Sequence, residues 1–345
     1  MWDRYTIRRK INSFSRRARW TWAPVFPIRA WIASTSRCNI KCRTCYLHFI
    51  GAKFEDMKPE VYERVRRELL PGLQEVCLSG AGEPFVAPIF YQMLDDTLAM
   101  GKRVTVTTNG TIIRTDYLER LIRAPSVLAV SIDGTTAEVM DHIRPHAGLD
   151  RVLEFMKTVK ELMDHSAHPA FEFQISFVIT RSNVEQLTDC VELAHRYGIR
   201  TVAFSSFLTG GRTDEFARRE SLMNRPEEVL PHWERACKRG IELGVAVSPV
   251  VFDCRDRPDE ERHRYQPTLY DAKGRIRHCP IPWWNTYIET DGSIRPCCVF
   301  PIVGNIMEQP FREIWNGPKY RALRRTVNTP NMPEYCKQCC MCVRI

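Results

Sequence analysis

Six short runs rich in β-branched and aromatic residues, at 31–35, 75–79, 103–107, 127–132, 171–179 and 201–207, alternate with stretches of helical periodicity. That alternation leaves few folds open. Strands separated by helix-length connections pair in parallel, and a parallel sheet has to be covered by its own crossover helices. Val152, Phe155, Met156, Val159 and Met163 mark one such helix face. Gly101, Gly198 and Gly244 each follow a helical pattern, where a left-handed terminating residue is wanted. Six right-handed βα units curl into an open, partial (β/α)6 barrel rather than a closed one, with chemistry at the C-terminal ends of the strands. The expected class is therefore α/β. The 345 residues divide into a basic arm (1–30), the barrel (31–252), a charged linker (253–276) and a small cysteine-rich subdomain (277–345). The barrel segment closes with a helix at 226–243 and a short strand at 245–251.

Polar motifs fall at the expected strand ends. Cys38, Cys42 and Cys45 form C-x3-C-x2-C just after the first strand. Three thiolates can hold three irons of a 4Fe-4S cluster and leave the fourth open. The competing reading is zinc, which prefers four ligands and paired C-x2-C knuckles. Fourteen cysteines in the chain are too few for a disulfide-stapled scaffold, and in a reducing compartment they serve as metal ligands or catalytic groups.

With this cysteine motif the chain resembles the radical SAM superfamily, and the likeness extends beyond it. The segment Ser79-Gly80-Ala81-Gly82-Glu83-Pro84 resembles the family's GGEP turn. The resemblance implies that Gly80, Gly82 and Glu83 receive the amino group of S-adenosylmethionine, with glycines admitting the ligand to the backbone and a carboxylate facing an ammonium. The segments Thr108-Asn109-Gly110 and Ser131-Ile132-Asp133-Gly134 stand where many members carry TNG and SxDG. By resemblance Asn109, Ser131, Arg144 and Tyr46 join the cofactor site. Strand-end turn chemistry for Ser131, a surface charge for Arg144 and simple packing for Tyr46 are the competing readings.

A second set lies near the C-terminus: Cys279, Cys297 18 residues later, and Cys336-x2-Cys339. Asp291-Gly292 between 287–290 and 293–296 reads as a hairpin turn, and 311–325 as a helix. This arrangement resembles the twitch form of the SPASM extension and implies an auxiliary 4Fe-4S cluster saturated by four thiolates. Zinc is again the structural alternative, and the choices between Cys297 and Cys298 and between Cys339 and Cys340 stay open. Cys77 sits in a strand, and Cys190 and Cys237 in helices, as small hydrophobes do. Cys254 lies just beyond the strand at 245–251.

The resemblance implies reductive cleavage of S-adenosylmethionine to a 5′-deoxyadenosyl radical and hydrogen abstraction, fed by a flavodoxin- or ferredoxin-type reductant. Dehydrogenation with the auxiliary cluster as electron acceptor is the favoured outcome. Epimerisation with Cys254 as hydrogen donor, sugar-acid decarboxylation and peptide maturation are the alternatives. A small polar or sugar-like substrate is expected, because the first 30 residues are too short for a domain that grips leader peptides. A metal-binding protein that contacts nucleic acid is the rival from another class.

Charge argues against that rival. The net charge is +9, but residues 1–20 hold seven Arg or Lys against one Asp, so the body is nearly balanced. That basic, tryptophan-bearing arm is expected to pack across the barrel or stay partly disordered, with peripheral contact with an anionic membrane or partner as the alternative. No stretch approaches 18 uncharged apolar residues, as a membrane span needs. A cytoplasmic protein is expected.

Overall fold

Alternating apolar residues make Glu172–Ile179 a half-buried strand, and the computed structural model of the protein turns Phe173, Ile175, Phe177 and Ile179 into the core. The structure describes residues 4–50, 53–209, 211–250, 279–298, 300–329, 331–333 and 336. The chain forms two units. The first comprises Met1–Arg37, Phe54–Thr105 and Arg277–Ile345, and the second Cys38–Lys53 and Val106–Ile276.

In the first unit, β1 (Arg29–Ile32) pairs in parallel with β2 (Glu75–Cys77), which pairs with the opening residues of β3 (Arg103–Thr108). The other edge of β1 receives β8 (Asn285–Ile288), also in parallel. Strand β8 then turns back antiparallel into β9 (Ser293–Arg295), and β10 (Gly304–Asn305) adds to β9. The Asp291-Gly292 turn forms as expected, with the Asp291 carboxylate accepting from Ser293 N–H at 2.8 Å. The cysteine-rich segment thus continues the sheet from an otherwise open strand edge. Trp31 and Tyr287, opposite each other in the β1–β8 register, stack at 5.3 Å.

In the second unit β4 (Ser126–Ser131), β5 (Glu172–Ile179), β6 (Thr201–Ser206) and β7 (Ala246–Val247) run parallel in that order. Every residue of β4 is buried, as expected for a parallel strand covered on both faces. Val152, Phe155, Met156 and Val159 of the helix Leu149–Ser166 are buried, whereas Met163 is only partly covered. The helix Pro226–Leu243 ends at Gly244, and Gly101, Gly198 and Gly244 all adopt positive φ where helices stop. The α/β class with a parallel sheet is the one expected from the sequence.

Several boundaries differ from expectation. Strand β1 starts at Arg29 rather than 31, because Arg29 and Ala30 are already in register with Glu75 and Val76 on one side and Asn285 and Thr286 on the other. The strand expected at 245–251 contracts to two residues. The helix expected at 311–325 is two helices, Phe311–Trp315 and Pro318–Thr326. Pro318 disfavours helical backbone in the residue before it, and Gly317 is extended, at φ −70 and ψ 171.

Candidate functional site

In the second unit the loop carrying Cys38, Cys42 and Cys45 is fixed from several directions. Cys45 N–H donates to the Cys42 carbonyl at 3.1 Å, and Arg43 N–H donates to the Ile143 carbonyl at 2.9 Å. Asn109, at the end of β3, donates from Nδ2 to the Cys38 sulfur at 3.7 Å and to Asn39 Oδ1 at 2.8 Å. Its own Oδ1 accepts from the Thr111 backbone N–H at 2.9 Å and hydroxyl at 2.7 Å, and Asn39 Nδ2 donates back to Thr111 Oγ1. Asn109 thus steadies the Cys38 sulfur, the kind of outer contact that orients metal-bound groups where a metal is held.

Arg144 is not a surface charge. It is 9% exposed, and its Nε donates to Asp133 Oδ2 at 2.6 Å. Asp133 is fully buried, accepts from Val178 N–H at 2.7 Å through Oδ1, and holds Asn183 Nδ2 on its carbonyl. Burial works against the charged guanidinium, but Asp133 together with Cys42 and Cys38 outweighs it and raises the Arg144 pKa. Burial also pushes the Cys42 thiol up to about 11, opposed by Arg144 and reinforced by Asp133, Cys38 and Cys45. The Asp133–Arg144 pair therefore places a positive group where it favours the Cys42 thiolate.

Arg212 is a site neighbour that motif reading missed. Its guanidinium lies 3.4 Å from the Phe49 ring centre, donates to the Arg43 carbonyl at 2.6 Å, and forks onto Asp214 at 2.9 and 3.1 Å. Asp214 also caps the helix Glu215–Glu220. The only local signal was the acid three residues before Ala217, a helix-start pattern. Ser131 ends β4 at 8% exposure, while Tyr46 opens the turn Tyr46–His48 half exposed.

In the first unit the Gly80-Ala81-Gly82-Glu83 turn meets the chain leaving β1. A Cβ on Gly82, which sits at φ +53, would lie 2.3 Å from the Arg37 carbonyl oxygen, and one on Gly80 would lie 2.8 Å from the Ala33 Cβ. The crowding these glycines relieve is with the protein's own chain at Ala33, Ser36 and Arg37. Glu83 N–H donates to the Arg37 carbonyl at 2.8 Å. The Glu83 carboxylate is buried and caps the turn Pro84–Val86 by accepting from Phe85 N–H at 3.2 Å.

Also in this unit, Cys279 is 8% exposed and held on both backbone groups by one side chain. Its N–H donates to Asn328 Oδ1 at 2.6 Å, and its carbonyl accepts from Asn328 Nδ2 at 3.0 Å. Asn328 has φ +66, a conformation that asparagine tolerates better than most residues. Cys297 is partly covered and Cys298 exposed, and Cys336 N–H donates to the Pro333 carbonyl at 2.8 Å. Arg324 is buried beneath these elements, against Trp315 at 4.4 Å and Tyr320 at 5.0 Å, with its Nε on the Pro282 carbonyl at 2.9 Å. Burial lowers its pKa to about 10. Cys254, Cys339, Cys340 and Cys342, and the linker at 253–276, lie outside the described residues.

Among the described residues no three Cys, His, Asp or Glu side chains converge as a single bound ion requires. Yet Cys42 is close enough to Cys38 and Cys45 to be raised by both. Three thiolates on one short loop suit a cluster, in which each iron takes one thiolate. No helix among the described residues is long and apolar enough to cross a membrane.

Two family models match the chain: the radical SAM superfamily over residues 32–171, and SPASM, an iron-sulfur cluster-binding domain, over residues 279–340. The AdoMet-dependent heme synthase of Methanosarcina barkeri is 29% identical over 89% of this chain and 88% of its own length. The antilisterial bacteriocin subtilosin biosynthesis protein AlbA of Bacillus subtilis is 25% identical over 90% of this chain, which spans 64% of the longer relative. Streptococcus suis SuiB, in its structure with the precursor peptide SuiA, superposes with a TM-score of 0.71 at 17% identity, covering 96% of this chain and 74% of SuiB.

Proposed function

This chain is a radical SAM enzyme with a C-terminal SPASM domain, and from that premise we propose that it dehydrogenates a small polar substrate. Cys38, Cys42 and Cys45 hold the first 4Fe-4S cluster. Cys279, Cys297, Cys336 and Cys339 hold the second. When bound, S-adenosylmethionine and its cluster would supply a 5′-deoxyadenosyl radical that removes a substrate hydrogen atom, and the auxiliary cluster would supply an acceptor for the electron released as the O–H or N–H proton leaves to solvent and a carbonyl or imine forms.

The chain's residues prepare and protect this chemistry. Asn109 orients the Cys38 sulfur, and the Asp133–Arg144 pair favours the Cys42 thiolate. Tyr46, Gly80, Gly82, Glu83 and Ser131 complete the proposed cofactor site together with Asn109 and Arg144, and a flavodoxin- or ferredoxin-type protein delivers electrons. The observation that carries the oxidative outcome is Cys279, buried and pinned through both backbone groups by Asn328. A rigid, dry thiol of this kind suits a saturated cluster that exchanges electrons without binding substrate.

A small-molecule substrate is favoured by the heme synthase relative, matched along 88% of its own length. A peptide is the second reading, favoured by the bacteriocin biosynthesis relative. The test is anaerobic incubation of reconstituted protein with dithionite, S-adenosylmethionine and size-fractionated extract from the source organism. The low-molecular-mass fraction should stimulate 5′-deoxyadenosine formation and yield a product lighter by two hydrogens. Stimulation by the peptide fraction alone overturns the substrate, and an unchanged product mass overturns dehydrogenation.

A further inference from the structure

The helix Arg4–Arg17 is packed with its polar side inward. Asn12 and Ser15 are fully buried, and the Asn12 amide has no hydrogen-bond partner among the described residues. Arg8 reaches into the first unit and donates to the carbonyls of Gly72, Phe26 and Pro27. The opposite face, at the three- and four-residue spacing that places side chains side by side, carries Ile7, Lys10, Phe14 and Arg17, all exposed. Phe14 is 58% exposed, and its contact with Trp20, edge to face at 5.3 Å, extends the apolar strip to a second half-exposed ring. Trp22, two residues on, is 55% exposed.

Surface helices ordinarily bury their apolar stripe; here Ile7 and Phe14 face outward beside Lys10 and Arg17. Charge narrows what the outward face meets. Residues 4–20 contain seven Arg or Lys and no acid, so the helix lacks internal Glu–Arg pairing. A second copy of this face would set like charges against each other. A surface that is anionic outside and apolar just beneath answers both features: cations meet headgroups, while Ile7, Phe14, Trp20 and Trp22 enter the acyl boundary.

We propose that this N-terminal helix is a peripheral docking face for an anionic lipid surface, with Ile7, Phe14, Trp20 and Trp22 inserted and Lys10 and Arg17 at the headgroups. The reading is independent of the chemistry proposed for the clusters.

The test is co-sedimentation of the full chain with vesicles of phosphatidylcholine alone and of phosphatidylcholine mixed with phosphatidylglycerol. Binding is expected only to the mixed vesicles. Replacing Lys10 and Arg17 together with Gln should weaken it about 25-fold, at roughly fivefold per cation. A paired Phe14→Ser and Trp20→Ser variant should also lose binding, with iron content unchanged because neither ring lies near the cysteines of either cluster motif in the sequence. Equal binding to neutral vesicles, or full binding by the Phe14/Trp20 variant, overturns the proposal. So does absence of vesicle binding accompanied by salt-sensitive binding to RNA.

Discussion

Replacing Asp133 with Asn isolates the electrostatic element behind the cysteine loop. The side chain keeps its shape, and its Oδ1 can still accept from Val178 N–H, now 2.7 Å away. What it loses is the charge facing Arg144 Nε at 2.6 Å, where an amide NH2 would set donor against donor. Arg144 is 9% exposed, so its guanidinium would stay uncompensated in the interior, and losing one partner of a buried pair costs about 3–5 kcal/mol. Against a typical total stability of about 5–15 kcal/mol, that cost would be felt first as local opening. Native-state hydrogen exchange, followed by mass spectrometry on peptides spanning β4 and β5, should show protection falling by that amount in Asp133→Asn. The Asp133→Asn/Arg144→Met double variant should recover much of the loss, since an apolar replacement for both partners removes the stranded charge. If Asp133→Asn changes protection by less than about 1 kcal/mol, or if the two substitutions are additive, the pair is not the support described, by the standard of double-mutant cycles.

Three further outcomes follow from the geometry. Asn109→Leu removes the donor to the Cys38 sulfur and should lower the first cluster's midpoint potential in redox-titrated EPR, because hydrogen bonds to cluster sulfurs help set that potential; an unmoved potential would place the amide away from the cluster. Asn328→Ala strips both backbone hydrogen bonds from Cys279 and should cost about 1–3 kcal/mol, with loss of the auxiliary cluster's share of iron while the first cluster remains, read by iron analysis and Mössbauer spectroscopy. Burial pushes the Cys77 thiol up from 9.0 to about 12, so its raised folded value contributes stability that is intact below pH 9 and lost as pH rises toward 12. In the metal-free folded chain, iodoacetamide near pH 8 should label exposed Cys38 and spare Cys77, and alkaline unfolding should be blunted in Cys77→Ala; labelling of Cys77 at the rate of Cys38 would contradict its burial.

The sequence determined what is local. Helix and strand periods, the glycines that end helices, the Asp291-Gly292 turn and the cysteine spacings depend on neighbours within a few residues, so they could be read without knowing where the chain goes next. Chain-distant partners were decided by the tertiary structure alone. The inward polarity of the first helix follows from the carbonyls of Gly72, Phe26 and Pro27, and β1 begins early because Asn285 pairs with its first residue. The GxGEP glycines were legible as a motif, but what they make room for, Ser36 and Arg37 at Gly82 and Ala33 at Gly80, comes from another segment. Arg144 was read as a cofactor contact by resemblance, with a surface charge as the alternative, until burial against Asp133 gave it a partner, and Arg212 carried no motif at all because its contacts with Arg43 and Phe49 span more than 160 residues. Spacing along a chain fixes which atoms can share a cluster, but only packing fixes which charges lose their water and must find one another.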